Sequence, residues 1–126
     1  MGRLCCIALI LLGSCMPIDG RVSLGGSLLE AEDCDFELRG GRAIVDFELA
    51  RGDRLRLVEV DADRFLVLFV DARGRPVEEY GDCAFGTIDE RRADQDRRTV
   101  DVEVDFDCRS RVPELEGRWR ARTCDA

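Results

Sequence analysis

From about residue 33 onward, apolar and polar side chains alternate with a period of two, the spacing that sends successive side chains to opposite faces of a strand. Cys34, Phe36 and Leu38 share one face, and Gly40-Gly41 supplies a turn. Ala43, Val45, Phe47 and Leu49 then fall on one face, with Asp46 and Glu48 on the other. Arg51-Gly52-Asp53 turns the chain into a strand over 54–60, and Asp61-Ala62-Asp63 turns it again. Residues 65–70 are apolar on both faces, as a strand covered on both sides requires. Gly74 and Pro76 mark a turn before short strands over 77–80 and 83–88. The charged run 89–98 reads as a loop, and strands over 100–108 and 116–123 end the series. No helical periodicity of useful length follows Cys15. About eight short strands with glycine at the turns predict an all-β fold, an antiparallel β-sandwich or barrel.

Residues 16–31 read differently. Pro17, Gly20, Gly25 and Gly26 predict a short tether with one edge strand over 21–24, and 27–32 fits one helical turn. Before them, Met1-Gly2-Arg3, an apolar run over 4–12 and then Gly13-Ser14 have the order of a secretory signal peptide. The run is too short for a spanning helix, which needs about 20 apolar residues. Leu12-Gly13-Ser14-Cys15 resembles the lipobox of bacterial lipoproteins, and the resemblance covers the leader only. It implies cleavage before Cys15 and a diacylglyceryl thioether on that cysteine, with an N-acyl chain as the usual companion. More than one acyl chain makes such an anchor stable. Met16, where aspartate is absent, implies sorting to the outer membrane by the rule of enteric-type bacteria. The expected organisation is a signal peptide over 1–14, a lipidated Cys15 and tether over 15–31, and one β domain over 32–126.

Lipidation also resolves an odd cysteine count. Of seven cysteines, Cys5 and Cys6 leave with the leader and Cys15 carries lipid. Cys34, Cys83, Cys108 and Cys124 remain, an even number in a compartment that permits disulfides. They contain no Cys-x-x-Cys pair, so a structural zinc site is disfavoured. If 100–108 and 116–123 pair as a hairpin, Cys108 sits near the turn and Cys124 at the far end, roughly 23 Å away. A bridge tolerates at most about 7 Å between Cα atoms, which removes Cys108–Cys124. Two connectivities stay open. The preferred one joins Cys83 to Cys108, clamping the charged run, and Cys34 to Cys124, fastening the C-terminus.

Composition narrows function mostly by exclusion. The 126 residues carry a net charge of −8, which repels nucleic acid and anionic membrane surfaces. All 19 basic residues are arginine; without histidine or lysine there is no imidazole base and no Schiff-base amine. Ser23, Ser27 and Ser110 therefore lack an activating partner. A carboxylate-only hydrolase needs a chosen pair of acids about 5–9 Å apart, and no pair stands out. No catalytic residue and no cofactor are assigned.

Among binding chemistries, Asp101, Glu103, Asp105 and Asp107 alternate with Val100, Val102, Val104 and Phe106, and Arg118, Arg120 and Arg122 alternate on the next strand. This is a salt-bridged outer face in preference to a cation site, and Asp46 and Glu48 against Arg54 and Arg56 repeat it. Arg51-Gly52-Asp53 spells an integrin-recognised tripeptide, but a tight hairpin needs that glycine anyway. Asp61/Asp63 and Asp94/Asp96 lack the remainder of a calcium loop. Trp119 has the parity of Leu115 and Ala121 and belongs in the core, not on a sugar-stacking surface. The expectation is a non-catalytic, membrane-anchored envelope module that binds another protein through an exposed edge strand or serves a structural role. A divalent-cation or carbohydrate module using the 101–107 acids or the 89–98 run is the alternative.

Overall fold

The computed structural model describes residues 18–94, 97–110 and 112–125, excepting the side chains of 91–99, 123 and 125. The leader, Cys15, Gln95 and Asp96 lie outside the described residues. Among the described residues nine strands form one sheet: β1 (Ile18–Leu24), β2 (Ser27–Leu29), β3 (Ala31–Arg39), β4 (Arg42–Leu49), β5 (Arg54–Asp61), β6 (Arg64–Val70), β7 (Pro76–Asp94), β8 (Arg97–Cys108) and β9 (Leu115–Asp125). The all-β, disulfide-stapled architecture is as the alternation predicts, and it takes the barrel form.

β2 and β3 are separated only by Glu30 and act as one bent strand. Each hairpin then pairs with the next along the chain, and β9 pairs with β8 on one edge and with β1 on the other. Near its end β9 also meets β3 in parallel, Asp35 opposite Asp125. The sheet thereby curls into a nearly closed up-and-down barrel. Such a barrel has an interior just wide enough for side chains to fill.

The inward residues fill it. Val22, Val45, Phe47, Leu55, Leu57, Phe65, Val67, Val100, Val102, Val104 and Leu115 are fully or almost fully buried. At the centre Trp119, 2% exposed, lies 4.9 Å from Phe47 and 5.5 Å edge-on from Phe106, ring centroid to ring centroid. A core tryptophan with aromatic neighbours at these separations gains from quadrupole as well as area. It offers no platform to a sugar.

Four local expectations are corrected. Residues 18–24 are not tether and edge strand: β1 pairs with β2 and with β9. Residues 27–32 are not a helical turn but β2 and the start of β3. The glycines misdirect here, because Gly20 and Gly117 mark a close approach of backbones and not a loop. A Cβ on Gly20 would overlap the Arg118 carbonyl, and one on Gly117 would overlap the Arg21 carbonyl. The strands at 77–80 and 83–88 are one strand, β7, bent by register shifts against β6. The charged run 89–98 is not a loop, since β7 continues to Asp94 and β8 begins at Arg97.

Finally, among the described residues β6 has no second layer over it. Leu66 and Leu68 remain half-buried on the outer surface, beside Val58 and Arg56 of β5.

The chain direction defines two ends. At the near end β1 starts at Ile18, beside the β3–β4 turn, the β5–β6 turn and the end of β9, and the end of β7 and start of β8 extend past it. At the far end lie the β1–β2, β4–β5 and β6–β7 turns and the β8–β9 connection, which contains a cis Val112–Pro113 bond. A hydrogen bond from Gly25 N to Glu114 O, 2.7 Å, ties two of these together.

Candidate functional site

Among the described residues two disulfides close the sheet, Cys34–Cys124 with Cα atoms 4.8 Å apart and Cys83–Cys108 at 5.2 Å. This is the preferred pairing from the sequence. Its geometric premise also holds, because Cys108 faces Leu115 at the turn end of β8–β9 while Cys124 faces Val100. The first bridge pins β9 to β3 across the closing seam, and the second holds β7 to the end of β8.

The acidic row on β8 meets its arginines. Glu103 stands opposite Arg120 and Asp105 opposite Arg118. Arg118 donates to Asp105 at 2.6 and 3.3 Å and reaches Glu103 at 3.7 Å. Asp107 faces Glu116 instead of an arginine, and Arg109 lies between them at 2.6 and 3.2 Å. Arg122 leaves the row to approach Asp19 on β1 at 3.7 Å. The Asp107 carboxyl is held below its ordinary range, first by the hydrogen bond from Arg109 and then by its charge. Arg109 and Arg118 are stabilised as cations in turn by Asp107 and Asp105. These carboxylates are engaged by arginine, and among the described residues no group of three or more acids and cysteines is arranged to hold a metal ion.

On the β4–β5 outer face the same pairing is more enclosed. Asp46, 9% exposed, accepts a two-pronged hydrogen bond from Arg56 at 2.8 and 3.0 Å, and Arg54 approaches at 3.7 Å. The hydrogen bond to Asp46 raises the Arg56 pKa against the opposing pull of burial. A shallow groove of about 330 Å³ runs over this pair, lined also by Asp35, Phe36, Glu37, Arg39 and Ile44. Its ionic centre is already satisfied internally. The Arg51-Gly52-Asp53 turn is a tight hairpin, with Gly52 at φ +86° and Leu49 N donating to Asp53 O at 2.8 Å.

The cleft that sequence reasoning missed is at the far end. Leu24, Leu28, Leu29, Leu49 and Phe69 line a cavity of about 360 Å³ with Glu30, Ala50, Arg51 and Asp53 on its rim. Leu28 on its edge is 59% exposed. Barrel mouths with apolar linings and a few polar groups are common ligand and partner sites. The signal was present as Leu28-Leu29, two adjacent apolar residues beside glycines, but their place depends on β1–β2 joining the barrel. The expected edge strand does not provide a docking site, because β1 is paired on both sides. Among the described strands the three-residue β2 ends the sheet, a short edge that offers little ladder.

Comparison of the chain with protein-family models, with curated proteins and with solved structures found no match.

Proposed function

We propose that this chain is a lipid-anchored, non-catalytic module of a bacterial cell envelope, held at the outer membrane through Cys15, that engages an envelope protein through the far end of its barrel. One observation carries the binding site: at the far end of the barrel an apolar cleft opens beside an exposed Leu28. The anchor rests on the Leu12-Gly13-Ser14-Cys15 motif. The disulfides fit an oxidising compartment.

The barrel itself is built for water. Its interior is apolar and its outer face carries Asp46, Arg56, Glu103, Asp105 and Arg118, the reverse of a membrane-spanning barrel, whose lipid-facing band is apolar. The lipid is therefore the means of attachment in this reading, not the sheet.

A photoreactive residue at Leu28, in cells with their native envelope, is expected to give a discrete protein adduct. The same residue at Arg120, on the salt-bridged face, is expected to give none. Equal adducts at both positions, or none at Leu28, would remove the site. Incorporation of labelled fatty acid, lost in Cys15→Ala, tests the anchor separately. No change in Tm is expected at millimolar calcium, because Glu103, Asp105 and Asp107 of the acidic row are paired with arginines.

A further inference from the structure

We propose that the β7–β8 extension at the near end is a docking edge for a second copy of this chain, which adds its own β7 in antiparallel order across a two-fold axis. This goes beyond the proposed function and rests neither on the lipid nor on the far-end cleft. The extension is defined by register. Ile18 faces Ala121, Ala121 faces Val102 and Val102 faces Ile88, so residues 89–94 of β7 stand past the level at which β1 starts. At roughly 3.3 Å per residue they reach about 20 Å. β6 gives out earlier: its ladder with β7 ends at Arg64 opposite Phe85, and the Gly86 N–H donates to the Asp63 carbonyl at 2.9 Å. Among the described residues no strand pairs with that side of β7 beyond Gly86.

Main-chain groups alternate sides along an antiparallel strand. Gly86 points towards β6, and the register with β8 is unbroken from Ala84 to Arg92, so Ile88, Glu90 and Arg92 turn their N–H and C=O groups to the open edge. Such an edge is a template for another strand. A two-stranded ribbon is marginal by itself in water, whereas two copies joined along β7 make a four-stranded sheet. Charges commonly blunt an edge, but here the order of signs selects the occupant. Asp89-Glu90 is followed directly by Arg91-Arg92. A two-fold axis sets one residue opposite its own copy. With Glu90 on the axis, Asp89 of each copy faces Arg91 of the other; with Arg91 on the axis, Glu90 faces Arg92. Either register sets two acid–arginine pairs face to face, where a run of one sign would repel itself. At a net charge of −8 two copies repel at long range, so a contact between them has to be carried by a local match of this kind.

The test is a charge swap on the whole protein as purified from cells, followed by sedimentation over a concentration series. One variant carries Asp89→Arg with Glu90→Arg, the other Arg91→Glu with Arg92→Glu, and both leave the Trp119 core untouched. Each alone is expected to self-associate at least about tenfold more weakly than wild type, and an equimolar mixture to recover the dimer, because every facing pair is then of opposite sign. Single cysteines under mild oxidation read the register: Glu90→Cys or Arg91→Cys is expected to link to its own copy, and Thr87→Cys, on the same edge but off the axis, is not. A wild-type chain that stays monomeric throughout the series would overturn the proposal. So would a dimer that persists in both charge variants, a mixture that fails to recover it, or the absence of a link at both 90 and 91. A dimer lost in Leu28→Glu and kept in the charge variants would give the contact to the far end instead. None of these results bears on whether Cys15 is acylated.

Discussion

The β4–β5 hairpin and the β8–β9 hairpin both set acids opposite arginines across strands joined at the far end, yet they are held together by different means. In β4–β5 the pair is enclosed: Asp46 is 9% exposed and gripped by Arg56, with Ile44 buried beside it on the same face. In β8–β9 the Asp105 and Arg118 side chains are 49% and 62% exposed, so water competes for every charge. That hairpin is secured elsewhere, by Trp119 in the core, by a disulfide at each end and by the close backbone approach at Gly117. An identical alternation thus reports which strands pair without reporting what stabilises them. Burial on the outer face is decided by neighbouring strands, here the apolar flank that β4 to β6 present and β8 to β9 lack.

The largest expected effects lie where the exposed hairpin is covalently held. Replacing Cys34 and Cys124 with alanine should cost about 4 kcal/mol, and replacing Cys83 and Cys108 about 3, because the loops closed span 90 and 25 residues. Urea unfolding of each double variant measures both, and a larger loss from the shorter loop would reverse the ranking. Next comes Gly117→Ala, which places a Cβ on the Arg21 carbonyl at φ +132°. It should cost about 3 kcal/mol by prying β1 from β9, with hydrogen exchange rising first along β1. A neutral substitution there would show that the seam is not tight.

The ion pairs themselves are the direct contest between the two hairpins. Asp46→Ala leaves Arg56 partly buried without its acceptor and should cost about 2 kcal/mol. Asp105→Ala should cost less than about 1 kcal/mol, as exposed pairs do. Double-mutant cycles with Arg56→Ala and Arg118→Ala isolate the two couplings. Equal couplings would mean that enclosure of Asp46 adds nothing, and the contrast drawn above would fail.

These expectations also mark what the residues alone made readable. The faces of β4, β5, β8 and β9, the turn at Gly52, the inward place of Trp119 and the disulfide partners all follow from parity and strand length. Alternation is informative only where one face of a strand meets a core. At the end of β7 Asp89 and Glu90 are both exposed, so no apolar period could announce a strand there. Gly20 failed as a loop signal for another reason. Glycine was required by the backbone of β9, a neighbour nearly a hundred residues away that local sequence cannot reveal. The far-end cleft was hidden for the same cause, since Leu24, Leu49 and Phe69 converge only when the sheet curls.

The smallest effect belongs to Asp107, the most solvent-exposed comparison to Asp46. Its carboxyl is held below the ordinary value near 4 by the Arg109 hydrogen bond and charge. The folded form therefore binds its proton less readily than the unfolded chain. The stability this adds is complete above the unfolded value and is lost as pH falls through the lower folded one. Because both side chains are exposed, and because Asp107 also faces the like charge of Glu116, little of it should survive screening. Asp107→Asn is expected to shift Tm by at most about two degrees at pH 7 and low salt. The difference should vanish in molar salt, and again in acid once the wild-type carboxyl is protonated. A deficit that persists in acid would assign the effect to packing of the side chain, and would blur the distinction between an exposed row held by charge and an enclosed pair held by geometry.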